Sequence, residues 1–124
     1  GMPNLTLEHF EHKTLQQEDV SRILQFTVWY LDSERHWSKD RLFQNLKQVS
    51  EALGFKLRDF LFPLFIAIAG TNQTVSVMDS MEILGPDISR ARMRSALNLV
   101  GGPSKKQAKK WDKEFRALTE ALGV

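Results

Sequence analysis

The chain has 124 residues, of which 42% are hydrophobic and none is cysteine, and its formal net charge is +2. This length predicts one domain with a single modest core. The absence of cysteine excludes disulfides, thiol nucleophiles and thiolate metal sites, and suits a reducing compartment. The longest apolar run, residues 60–70, is too short to cross a bilayer, so we expect a soluble protein without a membrane partner.

The beginning of the chain shows no charged-then-apolar leader before residue 30, so nothing indicates secretion and we expect a cytoplasmic location. Gly1 before Met2 is typical of a residue left by tag removal, which would make Met2 a native start. A shortened piece given its own start codon would look the same.

Charge is distributed unevenly along the chain. Residues 1–85 hold 8 Lys and Arg against 11 Asp and Glu, a net charge of −3, whereas residues 86–124 hold 9 against 4, a net charge of +5. A basic partner surface, if there is one, therefore lies in the C-terminal third, and a polyanion is its obvious partner.

The first two predicted helices are amphipathic. Thr14 and Gln17 form a possible capping box for the first, and Ser38 opens the second, which Gly54 closes. The residues that recur at helical spacing are Val20, Ile23, Leu24, Val28 and Leu31 in the first helix and Leu42, Leu46, Val49 and Leu53 in the second.

Residues 57–69 are apolar on nearly every side, which predicts a third helix buried by its neighbours. Pro63 should break it, with a short piece before the proline and a new first turn at it. Gly70 should stop the helix, and Thr71 to Thr74 are typical of a polar loop.

The last three helices are marked by their caps. Thr74 or Ser76 can cap the fourth; Gly85 should end it and Pro86 start the fifth, which runs to Val100. Ser104 should cap a sixth helix, which carries Trp111, Phe115, Leu118 and Leu122. We predict no strand.

The pattern of residues 36–102 resembles the C-terminal anticodon-binding domain of bacterial glutamyl-tRNA synthetase, a class I aminoacyl-tRNA synthetase. The residues that carry the likeness are Trp37, Gly54, Lys56, Phe60 to Phe62, Pro63, Leu64, Ala67, Gly70, Leu84, Gly85, Arg92 and Met93. It departs from the family pattern at Phe65, where arginine is usual, and at Ala69, where threonine is usual. The resemblance implies an all-α orthogonal bundle of five to six helices and structural roles for Pro63, Gly70 and Gly85.

The domain organisation follows from these elements. We expect a flexible arm at residues 1–13 and one helical domain at residues 14–124. Within it, residues 36–102 would be the synthetase-like core and residues 103–124 a basic C-terminal helix without a counterpart that we can assign.

Three arginines of the fifth helix fall on different sides of it. Met93, Ala96, Leu97 and Val100 define its buried arc. Arg90 and Arg94 lie opposite this arc and could contact phosphates or unpaired bases, although exposed helical arginines are more often simply solvated. Arg92 lies at the arc's edge, and we expect it to be structural, paired with Glu82 or capping carbonyls.

The sixth helix separates charge from apolar residues most sharply. Its basic arc consists of Lys105, Lys106, Lys109, Lys110, Lys113 and Arg116. Such an arc suits a phosphate backbone. A solvated face of a docked amphipathic helix is equally consistent, and an acidic membrane surface is a third alternative.

Two further groups could carry function. The aromatic cluster of Phe26, Trp29, Tyr30, His36 and Trp37 could stack unpaired bases but is more typical of core. His9 and His12 have a helical metal-ligand spacing but lack a third ligand, so we expect neither a metal nor a cofactor.

Catalytic motifs are missing from this sequence. Neither the His-Ile-Gly-His nor the Lys-Met-Ser-Lys-Ser type motif of class I synthetases occurs, nor does a phosphate loop or nucleophile motif. We therefore expect tRNA binding at the anticodon region, as part of a glutamate-tRNA ligase or as a free-standing derivative served by a separate catalytic chain. The alternative is a helical protein-interaction module that has kept the fold and lost RNA binding.

Overall fold

The computed structural model of the protein describes residues 4–70 and 76–124. A short 3-10 helix, Leu7–Phe10, precedes α1 at Gln17–Ser33, α2 at Lys39–Leu53 and α3 at Leu57–Ala69. These are followed by α4 at Val77–Val100, α5 at Lys105–Arg116 and a single turn, α6, at Thr119–Leu122. The predicted all-α bundle is confirmed, and none of the helices in the described ranges is long and apolar enough to cross a membrane.

Helix α1 occupies the centre of the bundle, where α2, α3, α4 and α5 all pack against it. Its apolar stripe is the one predicted, since Val20, Ile23, Leu24, Val28 and Leu31 are all buried. Burial of these side chains on several sides explains why α1 forms despite its β-branched residues, which are poor helix formers in isolation.

Serine caps set the beginnings of three helices as predicted. Ser38, Ser76 and Ser104 each accept a hydrogen bond from the backbone N–H three residues on. Each bond satisfies one of the N–H groups left free in the first helical turn. The alternative cap Thr74 and the predicted polar loop of residues 71–74 lie outside the described residues.

The predicted cap of α1 is wrong. The helix begins at Gln17, and its flanking residue is Gln16, whose N–H donates to the Asp19 carboxylate at 2.8 Å. The Thr14 hydroxyl lies instead 3.0 Å from Nδ1 of His12. The capping box therefore lies two residues later than predicted, and Asp19 takes the place that we expected for Gln17.

The predicted break at Pro63 is also wrong, because α3 continues through the proline as one helix. Proline removes one N–H donor from the helix interior and crowds the carbonyl four residues before it. Phe60, Pro63 and Leu64 are all buried, so packing on neighbouring helices offsets this local cost. Gly70 follows the last residue of α3, as predicted.

Gly85 divides α4 at the predicted place. Its φ of 83° and ψ of 174° are not helical, and the helix resumes at Pro86. That region of backbone space is essentially restricted to glycine. The predicted sixth helix is divided as well, because α5 ends at Arg116 and α6 begins at Thr119.

The N-terminal segment packs more closely than the flexible arm expected for residues 1–13. Phe10, at the end of the 3-10 helix, is buried in the main core, and Leu15 joins it. The 3-10 helix contacts α3 and α4. Among the described residues, this segment is therefore part of the domain's packing.

Candidate nucleic-acid interface

Arg90 lies against the C-terminal end of α1. Its Nε donates to the Leu31 carbonyl at 2.7 Å and its Nη2 to the Glu34 carbonyl at 3.1 Å. Its guanidinium carbon also lies 5.5 Å from the centre of the Trp37 ring, a cation–π distance. The last carbonyls of a helix lack intrahelical partners, so Arg90 satisfies groups that α1 leaves open.

Arg92 makes the same kind of contact with a different helix. Its Nη1 donates to the Ile68 carbonyl, one residue before the end of α3. This contact supports the structural role that we expected for Arg92, in the form of a carbonyl cap. Glu82, the other predicted partner, accepts a hydrogen bond from the Lys39 N–H at 2.7 Å.

Arg94 remains the most accessible of the three arginines. Its Nη2 lies 2.6 Å from Oδ1 of Asp32 near the end of α1, and its side chain is 54% exposed. Together with Asp32, Asp87 and Arg90 it lines an open, shallow pocket. An exposed ion pair of this kind contributes little to stability, so its arginine can exchange a carboxylate for a phosphate at small cost.

The five predicted lysines lie together on the outer face of α5. Lys105, Lys106, Lys109, Lys110 and Lys113 are all exposed. Within residues 4–70 and 76–124, none of them has a carboxylate partner, whereas the Arg116 guanidinium pairs with Asp112 at 2.9 Å. We refer to these five lysines as the α5 lysine face.

The opposite side of α5 is fixed to α1 by aromatic rings. Trp111 and Phe115 are buried, and their ring centres lie 6.4 Å and 6.0 Å from that of Phe26. The Arg22 guanidinium also lies 2.7 Å from the Glu114 carboxylate at the side of this cluster. The α5 lysine face is thus presented on a packed helix.

A buried polar cluster, not predicted from the sequence, holds the end of the chain. The Glu34 carboxylate, only 2% exposed, accepts hydrogen bonds from the Tyr30 hydroxyl at 2.6 Å and from Nε of Arg41 at 2.7 Å. Arg41 and Asn45 in turn donate to the Leu122 carbonyl at 3.0 and 2.9 Å. The four-residue spacing of Tyr30, in the last turn of α1, and Glu34, just after the helix, was the available sequence signal.

Burial and hydrogen bonds shift the pKa values of Glu34 and Tyr30 in this cluster. Burial acts to raise the pKa of Glu34, but hydrogen bonds from Tyr30, Arg41 and the His36 N–H outweigh it and lower the pKa below its ordinary value. Burial, together with the hydrogen bond to Glu34, raises the pKa of the Tyr30 hydroxyl well above its usual range. Glu34 is therefore a buried, paired carboxylate with a structural role.

Aromatic residues near the end of α1 belong mainly to the core. Phe26 and Tyr30 are fully buried, and Trp29 packs partly buried against Phe115 with ring centres 5.7 Å apart. The Trp37 indole donates to the Met81 carbonyl at 3.0 Å. Of the predicted cluster, His36 alone is exposed, which favours the core interpretation over base stacking.

Comparison with known proteins then assigns the fold to a family. The sequence profile described as "Anticodon binding domain" matches residues 2–97. The chain belongs to the anticodon-binding domain family. It is 50% identical over 118 residues to a glutamate-tRNA ligase of Marinobacter nauticus, a match that covers 95% of this chain and 24% of the ligase.

Further ligases match this anticodon-binding domain in the same way. A glutamate-tRNA ligase of Acinetobacter baumannii (strain AYE) is 49% identical over 121 residues, covering 98% of this chain and 23% of the ligase. One of Psychrobacter is 46% identical over 124 residues, covering 100% of this chain and 25% of the ligase. The chain thus spans about a quarter of the length of the curated relatives it matches, and the predicted resemblance is confirmed.

Positions where this anticodon-binding domain departs from the family pattern can now be placed. Phe65 is partly buried against the core and lines a shallow groove with Phe43, which is 41% exposed. Ala69 is the last residue of α3. A phenyl ring at position 65 therefore adds apolar surface beside α2.

The two N-terminal histidines are engaged locally. Nδ1 of His9 accepts a hydrogen bond from the Thr6 N–H at 2.9 Å, and His12 lies 3.9 Å from the Asp59 carboxylate. In the part of the chain that the structure describes, no group of three or more His, Cys, Asp or Glu residues is arranged to hold a metal ion.

Proposed function

We propose that this domain binds the anticodon region of a tRNA in the work of a glutamate-tRNA ligase. The observation that carries the proposal is the match of residues 2–97 to the anticodon-binding family, joined to about half identity with glutamate-tRNA ligases over nearly the whole chain. A role in protein biosynthesis in the cytoplasm follows from that activity.

The basic residues divide between holding the fold and attracting RNA. Arg94 keeps an exposed guanidinium, which can fork onto a phosphate or stack on a base. Arg90 shares the same open pocket, but its Nε and Nη2 donate to carbonyls of this chain. We therefore assign Arg94 to RNA contact and Arg90 to positioning.

The α5 lysine face supplies a second source of affinity. Its five ammonium groups are exposed and have no carboxylate partners in the described residues, so they can neutralise phosphates without first breaking an ion pair. Contacts of this type release counterions and make binding dependent on salt. They add affinity without reading sequence.

Aminoacylation itself needs residues outside this sequence. No class I ATP-binding motif occurs in the 124 residues, and the matched ligases are about four times longer. We propose that the adenylate-forming site lies either in further sequence of the same polypeptide or in a separate catalytic chain.

Binding of labelled transcripts tests the proposal. A glutamate tRNA, the same tRNA with a substituted anticodon, and an unrelated tRNA are titrated with the protein at low and moderate salt. We expect the first to bind tightest, with a preference that the anticodon substitution removes. Equal binding of all three transcripts, or no binding at low salt, would contradict an anticodon-directed role. Arg94→Ala should reduce this preference, and Lys47→Ala, which removes one exposed charge elsewhere, serves as the control.

A second candidate function rests on the groove beside Phe65. Phe43, Leu61, Phe65, Val77 and Met78 line it, and an apolar groove can seat the anchor residues of a partner helix. Binding of a protein partner that Phe43→Ser abolishes, together with no tRNA binding by the unmodified protein at low salt, would favour the interaction module over the RNA-binding domain.

A further inference from the structure

The α5 lysine face lies beyond the segment that matches the family profile, which ends at residue 97. Helix α5 spans Lys105–Arg116 and is joined to α4 through the exposed pair Gly101 and Gly102. The ligase matches, however, extend over 98% and 100% of this chain, so the expectation that residues 103–124 have no counterpart was wrong. The lysines of α5 lie outside the family profile but within the sequence shared with these ligases.

Both ends of this helical segment are tied to the rest of the domain. Near its beginning, the Gln107 amide donates to the Glu18 carboxylate at 2.9 Å. After its end, Arg41 donates to the Leu122 and Gly123 carbonyls, each at 3.0 Å. With the aromatic cluster between these ties, α5 presents its charges on a fixed surface, so little conformational entropy of the backbone remains to be lost on binding.

The α5 lysine face lacks the groups that stack on unpaired bases. The two rings of α5, Trp111 and Phe115, are buried at 4% and 6% exposure and point toward Phe26. Recognition of unpaired bases relies on exposed aromatic rings or guanidinium planes for stacking. The five lysines that define the face are point charges without a planar fork.

The spacing of the lysines suits a regular backbone. Lys106, Lys109 and Lys113 lie at the centre of the outer arc, three and four residues apart, so their Cα atoms are separated along the axis by about 4.5 and 6 Å. This step is comparable with the distance between neighbouring phosphates of one strand. A double-helical stem offers such phosphates in a fixed array, whereas a flexible single strand would have to be ordered first.

We infer that the α5 lysine face is a docking surface for the sugar-phosphate backbone of a double-helical RNA stem, distinct from the contact with the anticodon. The inference rests on the proposed function, which it extends from the loop to the stem beside it. The face adds affinity for any stem and leaves the choice of anticodon to the rest of the domain.

The test compares two triple variants that remove the same charge. Lys106→Ala/Lys109→Ala/Lys113→Ala neutralises the centre of the face, and Lys13→Ala/Lys47→Ala/Lys56→Ala neutralises three exposed lysines elsewhere. Each is titrated by fluorescence anisotropy, over a range of salt, with three probes: an anticodon stem-loop of glutamate tRNA, the same stem closed by an unrelated loop, and a single strand of equal length. Circular dichroism checks that both variants fold.

For both stem probes, we expect the α5 variant to reduce the magnitude of the slope of log affinity against log salt concentration by about 2 to 3. Each lost phosphate contact reduces that magnitude by about 0.9. The α5 variant's preference for the anticodon loop over the unrelated loop should be unchanged, and the control variant should keep the original slope. An unchanged slope in the α5 variant, an equal effect of the two variants, or an equal loss for the single strand would overturn the inference.

Failure of the inference can be told from failure of the proposed function. If the protein prefers the anticodon loop but the α5 variant binds stems normally, only the docking surface is wrong. If no RNA probe binds the unmodified protein, both are wrong. Binding of the lysine face to vesicles of phosphatidylglycerol but not to the stems would instead identify a membrane surface as its partner and overturn the inference.

Discussion

Replacing Arg90 by alanine tests whether this arginine stabilises the fold or binds RNA. The substitution removes two hydrogen bonds to the Leu31 and Glu34 carbonyls and the contact with the Trp37 ring. If these contacts fix α4 against the end of α1, the variant must unfold more easily. If Arg90 instead serves RNA, affinity must fall while stability stays the same.

The expected loss of stability can be worked from these contacts. Each hydrogen bond to a charged donor is worth about 1.5–3 kcal/mol, but the two carbonyls lie at a helix end, where water can replace the guanidinium after truncation. We therefore count about half of that energy and add about 0.5–1 kcal/mol for the cation–π contact. The sum is roughly 2–4 kcal/mol, which at this chain length lowers Tm by about 8–16 °C.

Urea and thermal unfolding followed by circular dichroism measure this change. Arg94→Ala is the matched control, because it removes an arginine of the same helix whose ion pair is largely exposed. We expect the control to change stability by less than about 1 kcal/mol. An Arg90→Ala protein that unfolds like the unmodified one, yet binds tRNA more weakly, would refute the structural assignment and restore Arg90 to the RNA-binding surface.

Two further predictions concern the backbone and the buried carboxylate. Gly85→Ala should destabilise the folded domain by about 1–3 kcal/mol, because alanine is strained at a φ of 83° although its Cβ would meet open space. Gly102→Ala also places its Cβ in open space and should leave stability nearly unchanged. Similar urea midpoints for the two variants would contradict the strain argument. The lowered pKa of Glu34 stabilises the fold fully above the ordinary value of 4.5, and this stabilisation is lost as pH falls through the lower folded-state pKa. Glu34→Gln should therefore lose stability at neutral pH and depend less on pH in the acid range, and parallel stability profiles of the two proteins from pH 7 to 3 would refute this.

Helix positions were predictable from the sequence where they are set by residues within or next to the helix. Ser38, Ser76 and Ser104 each cap the helix that they were expected to cap, since a serine hydroxyl reaches an N–H only three residues away. Gly85 divides α4 as expected, because its backbone geometry is open to glycine alone. The buried stripe of α1 followed from periodicity in the same way.

Features that depend on contacts between residues far apart in the sequence were not predictable. Pro63 does not break α3, because the packing that stabilises the helix comes from other segments. Helical periodicity placed Arg90 away from the buried arc of its own helix, but could not show that the end of α1, 56 to 59 residues earlier, lies there to accept its hydrogen bonds. The contact of Arg41 with the Leu122 carbonyl joins residues 81 apart and had no signal in either segment.

The different uses of arginine and lysine in this domain have a common physical cause. Arg90 bridges two carbonyls and Arg41 bridges a carboxylate and two carbonyls, arrangements that need several donors in one rigid plane. An ammonium group offers no such fork and is strongly hydrated, which agrees with the exposure of all five lysines of α5. We therefore expect the exposed lysines, rather than the bridging arginines, to supply most of the proposed electrostatic affinity for RNA.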